Sequence, residues 1–125
     1  MQKDEILLID MDTLSVGHPI FEFGSIFNAF VGFHELNQEN VKHFQGFDFD
    51  LSTRFFHKVL AAYLNTDDEQ KIQSLYDKAA LIGYTRLIRI GIRRSESKTE
   101  QGRKELAYRT ERLLTLLSQT DTLTI

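Results

Sequence analysis

The residues best suited to chemistry in this sequence are two aspartates, Asp10 and Asp12, which stand one residue apart. They follow four consecutive aliphatic residues, 6–9, and precede a Gly-His-Pro triplet at 17–19. Carboxylate oxygens are ligands that suit a hard cation such as Mg²⁺, which is often held by one or two carboxylates together with substrate phosphates. A strand that ends in two acids can therefore present a metal or phosphate site, and the residues around it must decide which chemistry it serves.

One chemistry with nearly this arrangement is that of the haloacid-dehalogenase phosphatases. The segment resembles their D-x-D-x-T or D-x-D-x-V motif, in which the first Asp is the nucleophile and the second is the general acid. Asp10 and Asp12 have the right separation, but Leu14 stands where Thr or Val belongs. That fold also needs further parallel strands, a downstream lysine and a late acidic pair, and the remainder offers none of these in a matching context. A phosphohydrolase is therefore the alternative interpretation.

The longer segment LLIDMDTLSVGHPIFEFGS, residues 7–25, resembles a segment of the small-molecule phosphotransferases of the aminoglycoside and choline kinase family. In that family a strand ends in an Asp that binds the Mg²⁺ bridging the nucleotide phosphates. A short loop follows, and then G-D-P, two spacers and D-L-A open a helix. The resemblance implies that Asp10 is the metal ligand and that Asp12 is a second acid near the metal and the nucleotide. His18 replaces one family Asp, and Glu22 replaces the Asp that braces the catalytic loop. The resemblance implies that Glu22 and His18 form a structural brace of the site.

The resemblance also implies a function. The family's catalytic loop, H-G-D-x-x-x-x-N, supplies the base for the substrate hydroxyl, and a glycine-rich loop with its lysine binds the nucleotide; neither motif occurs in this sequence. We therefore expect the C-terminal portion of an ATP- and Mg²⁺-dependent phosphotransferase that acts on a small-molecule hydroxyl acceptor. Alone, this chain should contain no catalytic residue, be inactive, and bind neither ATP nor Mg²⁺ tightly.

Composition limits the remaining function classes. The chain has 125 residues, of which 42% are hydrophobic, and its formal net charge of −3 argues against a general nucleic-acid binder. It has no cysteine, which excludes disulfides, thiolate zinc sites and cysteine nucleophiles. No signal-peptide pattern opens it, and its most apolar segment, 20–33, is too short and too interrupted to span a bilayer. We expect a cytoplasmic protein with no membrane or nucleic-acid partner.

The hydrophobic pattern predicts a mainly α fold in a single domain, 1–125. One short N-terminal strand or hairpin, Glu5–Asp10, is followed by about four helices, as in the helical part of the family's C-terminal lobe. The predicted helices cover 20–33, 51–64, a span that begins at the start signal T-D-D-E of 66–69, and 103–118. Between the first two lies a long loop, 34–50, with one helical turn at most. In the start signal Thr66 caps the helix and Glu69 reaches back. The last helix is expected to bury four leucines, Leu106, Leu113, Leu114 and Leu117.

A lone strand leaves backbone donors and acceptors without partners, and such edges pair readily with another chain. We therefore expect a homodimer that forms through the strand 5–10 and the phenylalanine-rich helix 20–33. The non-catalytic alternative is a helical interaction module in which Asp10 and Asp12 only close a turn, a position that Asp favours.

Overall fold

The computed structural model describes Leu7 and residues 16–125. In this part of the chain the fold is helical, with no strand, so the mainly α prediction is confirmed there. The α-helices are α1 (Pro19–Phe30), α2 (Glu39–Gln45), α3 (Phe49–Leu64), α4 (Glu69–Arg93) and α5 (Glu100–Gln119), with short 3₁₀ helices at Gly32–His34 and Glu96–Lys98. The predicted strand Glu5–Asp10 lies outside the described residues, apart from Leu7. None of the helices in the described part is long and apolar enough to cross a bilayer.

The predicted loop at 34–50 is only partly right, because it contains a seven-residue helix, α2, instead of a single turn, and α3 already begins at Phe49. Only one apolar side chain of α2, Val41, is fully buried, so the segment has no periodic apolar face that a sequence pattern could reveal. The helix ends at Gly46, whose φ of 77° is left-handed and whose N–H donates to the Lys42 carbonyl. Glycine adopts this conformation without steric cost and is the usual residue at such helix ends.

The start of α4 corrects the predicted cap. Asp68, not Thr66, is the N-cap residue, and its Oδ1 accepts a hydrogen bond from the Gln70 N–H at 3.0 Å. Thr66 acts one step earlier, because its hydroxyl oxygen accepts from the Asp68 N–H at 3.1 Å. The T-D-D-E signal therefore located the helix correctly within two residues but named the wrong capping side chain.

The hydrophobic core is organised around α4, against which α1, α3 and α5 all pack. Phe27 of α1 is fully buried and meets Phe56, Tyr76 and Tyr84 edge-on, with ring centroids 5.8, 5.7 and 5.3 Å away. Edge-to-face pairs of this kind are favourable beyond the area they bury, because the positive ring edge meets the negative ring face. One phenylalanine thus joins α1 to α3 and α4.

The helices α1 and α4 cross closely, and two glycines without side chains allow this approach. A Cβ atom added to Gly83 would lie 2.5 Å from Phe27 Cδ1 and 2.7 Å from Asn28 Oδ1. On the facing helix, a Cβ atom on Gly24 would lie 2.5 Å from Cγ2 of Ile82. The side-chain amide of Asn28 donates to the Gly83 carbonyl at 3.1 Å, a bond that depends on the same close approach.

The buried face of α5 differs from the prediction. Leu114 and Leu117 are 62% and 52% exposed, whereas Leu116 is buried. Leu106 and Leu113 are half-buried. The run Leu113–Leu117 contains four leucines in five positions, so it fits two different helix faces, and packing against α4 decides between them.

We expect Gly83→Ala to destabilise the fold by about 1–3 kcal/mol, because the new methyl group overlaps Phe27 and Asn28. The loss should appear even though alanine favours a helix over glycine by roughly 0.5–1 kcal/mol. Urea unfolding followed by circular dichroism measures it. The control is Gly17→Ala, whose added Cβ would meet nothing within 4 Å, and equal stability of the two variants would contradict the close crossing.

Candidate functional site

The described part of the candidate site is the beginning of α1. His18 is the N-cap residue, with extended backbone angles, and Pro19 occupies the first turn, where its missing N–H has no helical partner to lose. The Nδ1 atom of His18 accepts a hydrogen bond from the Ile20 N–H at 3.2 Å. This bond uses the lone pair of Nδ1, so His18 cannot take up a proton at Nδ1 without losing its cap. Its structural role is to start α1.

Glu22 lies in the first turn of α1 and is exposed. A carboxylate at this position interacts favourably with the positive end of the helix dipole, by about 0.3–1 kcal/mol. Its side chain is therefore held on a regular helix, close in sequence to the aspartates. The bracing role assigned to Glu22 and His18 by resemblance stays a prediction.

Asp10 and Asp12 lie outside the described residues, so their assignment as magnesium and nucleotide ligands also stays a prediction. The donor chemistry fits, since Mg²⁺ takes one or two carboxylates and completes its shell with phosphate oxygens and water. In residues 16–125 and Leu7, no group of three or more His, Asp or Glu side chains is arranged to hold a metal ion.

A second polar constellation, which the sequence analysis did not find, is centred on Glu35. The Tyr84 hydroxyl donates to Oε1 of Glu35 at 2.6 Å, and the Tyr108 hydroxyl donates to Oε2 at 2.7 Å. Tyr84 is only 1% exposed. Glu35 follows the 3₁₀ helix after α1, Tyr84 is on α4 and Tyr108 is on α5, so one carboxylate joins three parts of the chain. We call this group the Glu35 cluster.

The electrostatics of the Glu35 cluster keep its tyrosines protonated. Burial raises the pKa of Tyr84 far above its usual value, and the hydrogen bond to Glu35 adds to the effect. The pKa of Tyr108 is raised for the same two reasons. Nearby Tyr76 has its pKa raised to about 12, mainly by burial and secondly by the Glu35 charge. The neighbouring Tyr84 hydroxyl raises the pKa of the Arg112 guanidinium. Arginine stays charged in proteins, so a permanent positive charge lies beside the cluster.

The Glu35 cluster therefore acts as a structural clamp. Both carboxylate oxygens are occupied by hydroxyl donors, and both hydroxyl hydrogens are used in the bonds to Glu35. A signal for the cluster did exist in the sequence: Tyr84 is eight residues after Tyr76 and so lies on the same core face of α4, where a buried hydroxyl needs an acceptor. Nothing in the sequence pattern identified Glu35 as that acceptor, because it lies 49 residues away.

Comparisons of the chain with protein-family models, with curated proteins and with solved structures found no match.

We expect Glu35→Ala to lower the free energy of unfolding by about 1–3 kcal/mol, because it leaves the hydroxyls of Tyr84 and Tyr108 without their acceptor. Chemical denaturation measures the change. The matched control is Glu111→Ala, an exposed glutamate on α5, which should stay within about 0.5 kcal/mol of the parent. If both variants lose the same stability, the Glu35 cluster is not a clamp.

The raised tyrosine pKa values also predict a loss of stability at alkaline pH. In the unfolded chain tyrosines ionise near pH 10, whereas Tyr76 in the folded chain ionises near pH 12. Above pH 10 the unfolded state therefore binds fewer protons, and stability falls with pH by up to about 1.4 kcal/mol per pH unit for each such group. Denaturant midpoints measured between pH 9 and pH 12 test this. Tyr76→Phe should make the decline less steep, and an unchanged slope would contradict the prediction.

Proposed function

We propose that this chain supplies the metal-binding aspartate and the helical substrate-side lobe of an ATP- and Mg²⁺-dependent small-molecule phosphotransferase. The acceptor of the phosphoryl group would be a hydroxyl of a small molecule. The proposal rests on the segment 7–25, in which an apolar run, two spaced acids, a short loop and a Gly-x-Pro triplet follow one another in the order seen in aminoglycoside and choline kinases.

The observation that supports the proposal best is the position at which α1 begins. In the family pattern the G-D-P sequence opens a helix, and here α1 begins at Pro19, directly after Gly17 and His18. His18 replaces the family's Asp and also caps the helix with a side-chain acceptor. Asp and His differ in charge, but both can accept a hydrogen bond from a backbone N–H. The substitution therefore keeps the helix start that the pattern requires.

The role of each residue in such a site follows from the chemistry of phosphoryl transfer. This reaction depends on positioning the reactants and on neutralising the charge of the phosphates. When bound, Mg²⁺ would neutralise part of that charge. Asp10 would hold the ion directly, and Asp12 would contact it through water. Glu22, on the first turn of α1, would brace the segment that carries the catalytic base.

The helical body would give this segment a rigid support. α1 is fixed on α4 through Phe27 and through the bond from Asn28 to the Gly83 carbonyl. The Glu35 cluster attaches the segment that follows α1 to both α4 and α5. Metal ligands that precede such an anchored helix are held more accurately than ligands on a free loop, which is what positioning catalysis needs.

Metal mapping tests the proposal on the chain as it stands, with Mn²⁺ as a paramagnetic substitute for Mg²⁺. We expect Mn²⁺ to broaden the amide resonances around Gly17–Glu22 selectively, even if it binds only weakly. Asp10→Asn should abolish this broadening, because an amide oxygen carries no charge to attract the ion. The matched controls are Asp48→Asn and Asp50→Asn, since Asp48-Phe49-Asp50 has the same D-x-D spacing at the start of α3. Broadening that is centred on α3, or that persists in Asp10→Asn, would refute the assignment.

An activity assay separates the two phosphate chemistries. Hydrolysis of a generic phosphate ester with Mg²⁺ and without ATP, if it is lost in Asp10→Asn, would favour the haloacid-dehalogenase interpretation and overturn the kinase proposal. We expect no such hydrolysis. We also expect no ATP binding tighter than about 1 mM, roughly −4 kcal/mol, because the nucleotide-binding loop and its lysine are not part of this sequence.

A further inference from the structure

A cavity of about 400 Å³ opens between the end of α1, the 3₁₀ helix and α2. Its volume lies within the range of small-molecule pockets, about 300–1,000 Å³. Six residues line it: Ala29, Phe33, His34, Asn40, Phe44 and Gln45. We call it the α1–α2 cavity. It is not part of the segment 7–25 and does not depend on the proposed phosphotransferase function.

Two lining residues are oriented by the same backbone atom. His34 Nε2 and the side-chain amide nitrogen of Gln45 each lie 3.0 Å from the Ala29 carbonyl oxygen. A carbonyl oxygen can only accept, so both nitrogens must donate. The donation fixes the tautomer of His34, which carries its proton on Nε2, and it fixes the orientation of the Gln45 amide.

The same two side chains each carry a buried acceptor that has no partner in the described part of the protein. These are Nδ1 of His34 and Oε1 of Gln45. His34 as a whole is only 6% exposed. Buried polar atoms nearly always have a hydrogen-bond partner, and leaving one unpaired destabilises the protein. Two of the four such side-chain atoms in the described residues therefore belong to residues that line this one cavity.

The chemistry of these atoms defines what they would bind. Both are acceptors, so they call for a molecule with N–H or O–H donors. None of the six lining residues is Asp, Glu, Lys or Arg, which favours an uncharged molecule. The walls are aromatic, because Phe33 and Phe44 are 46% and 81% exposed. A phenylalanine as exposed as Phe44 leaves most of its apolar surface available to a ligand.

We propose that the α1–α2 cavity binds a small, uncharged aromatic molecule that carries an N–H or O–H donor, of the indole or phenol class. The aromatic body would cover the Phe33 and Phe44 rings. Gln45 Oε1 and His34 Nδ1 are closed to solvent, so the ligand would turn one of these side chains until its acceptor faces the cavity and meets the donor. A site that is built to pair a donor rejects the analogue without it, because its own buried acceptor would stay unpaired.

Indole is the probe, and 1-methylindole is the matched analogue that lacks the donor. The chain contains no tryptophan, so indole fluorescence reports on the ligand alone. We expect saturable indole binding within about 1 mM, the range for a fragment of this size. We expect 1-methylindole to bind about tenfold more weakly, which corresponds to roughly 1.4 kcal/mol for the unpaired acceptor.

Two variants and a control make the test specific. Phe44→Ala should weaken both probes, since it removes an apolar wall, and its exposed position should leave the fold intact. Gln45→Met should weaken indole alone and so reduce the preference for indole over 1-methylindole. Phe21→Ala removes a 49% exposed phenylalanine elsewhere on α1 and should change neither affinity. The proposal is overturned if indole does not saturate, if both probes bind equally to the parent chain, or if Phe44→Ala leaves binding unchanged.

Discussion

The packing of Phe27 into the crossing of α1 and α4 is the interaction on which the rest of the structure depends. The ring contacts side chains of α3 and α4 at once, and it reaches them because Gly83 has no side chain at the crossing point. Protein interiors are packed to crystal-like density, so a single added methyl group cannot be absorbed without moving a helix. The orientation of α1 on the helical body follows from this contact.

The Glu35 cluster solves a second problem, that of a charge placed next to a hydrophobic core. Glu35 is half-buried, and a carboxylate that loses part of its hydration is costly unless it is hydrogen-bonded. It receives two tyrosine hydroxyls, and Arg112 lies nearby. In return, the carboxylate gives Tyr84 an acceptor that no apolar neighbour could provide. The polar group therefore orders the connection after α1 without opening the core to water.

The packing of Phe27 and the Glu35 cluster both bear on function. Both fix the helices after Pro19, and His18 caps the first of these helices. In the phosphotransferase that we propose, small displacements of a metal ligand are expensive, so a helix that is anchored along its length is a suitable support. The α1–α2 cavity lies at the other end of α1, where Ala29 holds His34 and Gln45. One helix thus connects two candidate binding regions with different chemistry.

Most of the helical fold was predictable from the sequence, because long amphipathic segments bury one face whatever their partners are. The spans of α1, α3, α4 and α5 agree with the predicted helices to within about three residues at each end that was predicted. The short helix α2 could not be predicted in this way, since it buries little and depends on its neighbours for stability.

The sequence alone determined the helical class, the proline-led start of α1 and the spacing of Asp10 and Asp12 that suggests a metal–phosphate site. Only the tertiary structure decided which leucines of α5 face the core, because the run 113–117 allows two faces and packing against α4 selects the one that contains Leu116. Two sets of hydrogen bonds were also decided by the tertiary structure alone. In one, Tyr84 and Tyr108 bind Glu35. In the other, the side chains of His34 and Gln45 bind the same backbone carbonyl. Local patterns report each residue's neighbours along the chain, whereas hydrogen bonds between distant residues depend on how whole helices cross.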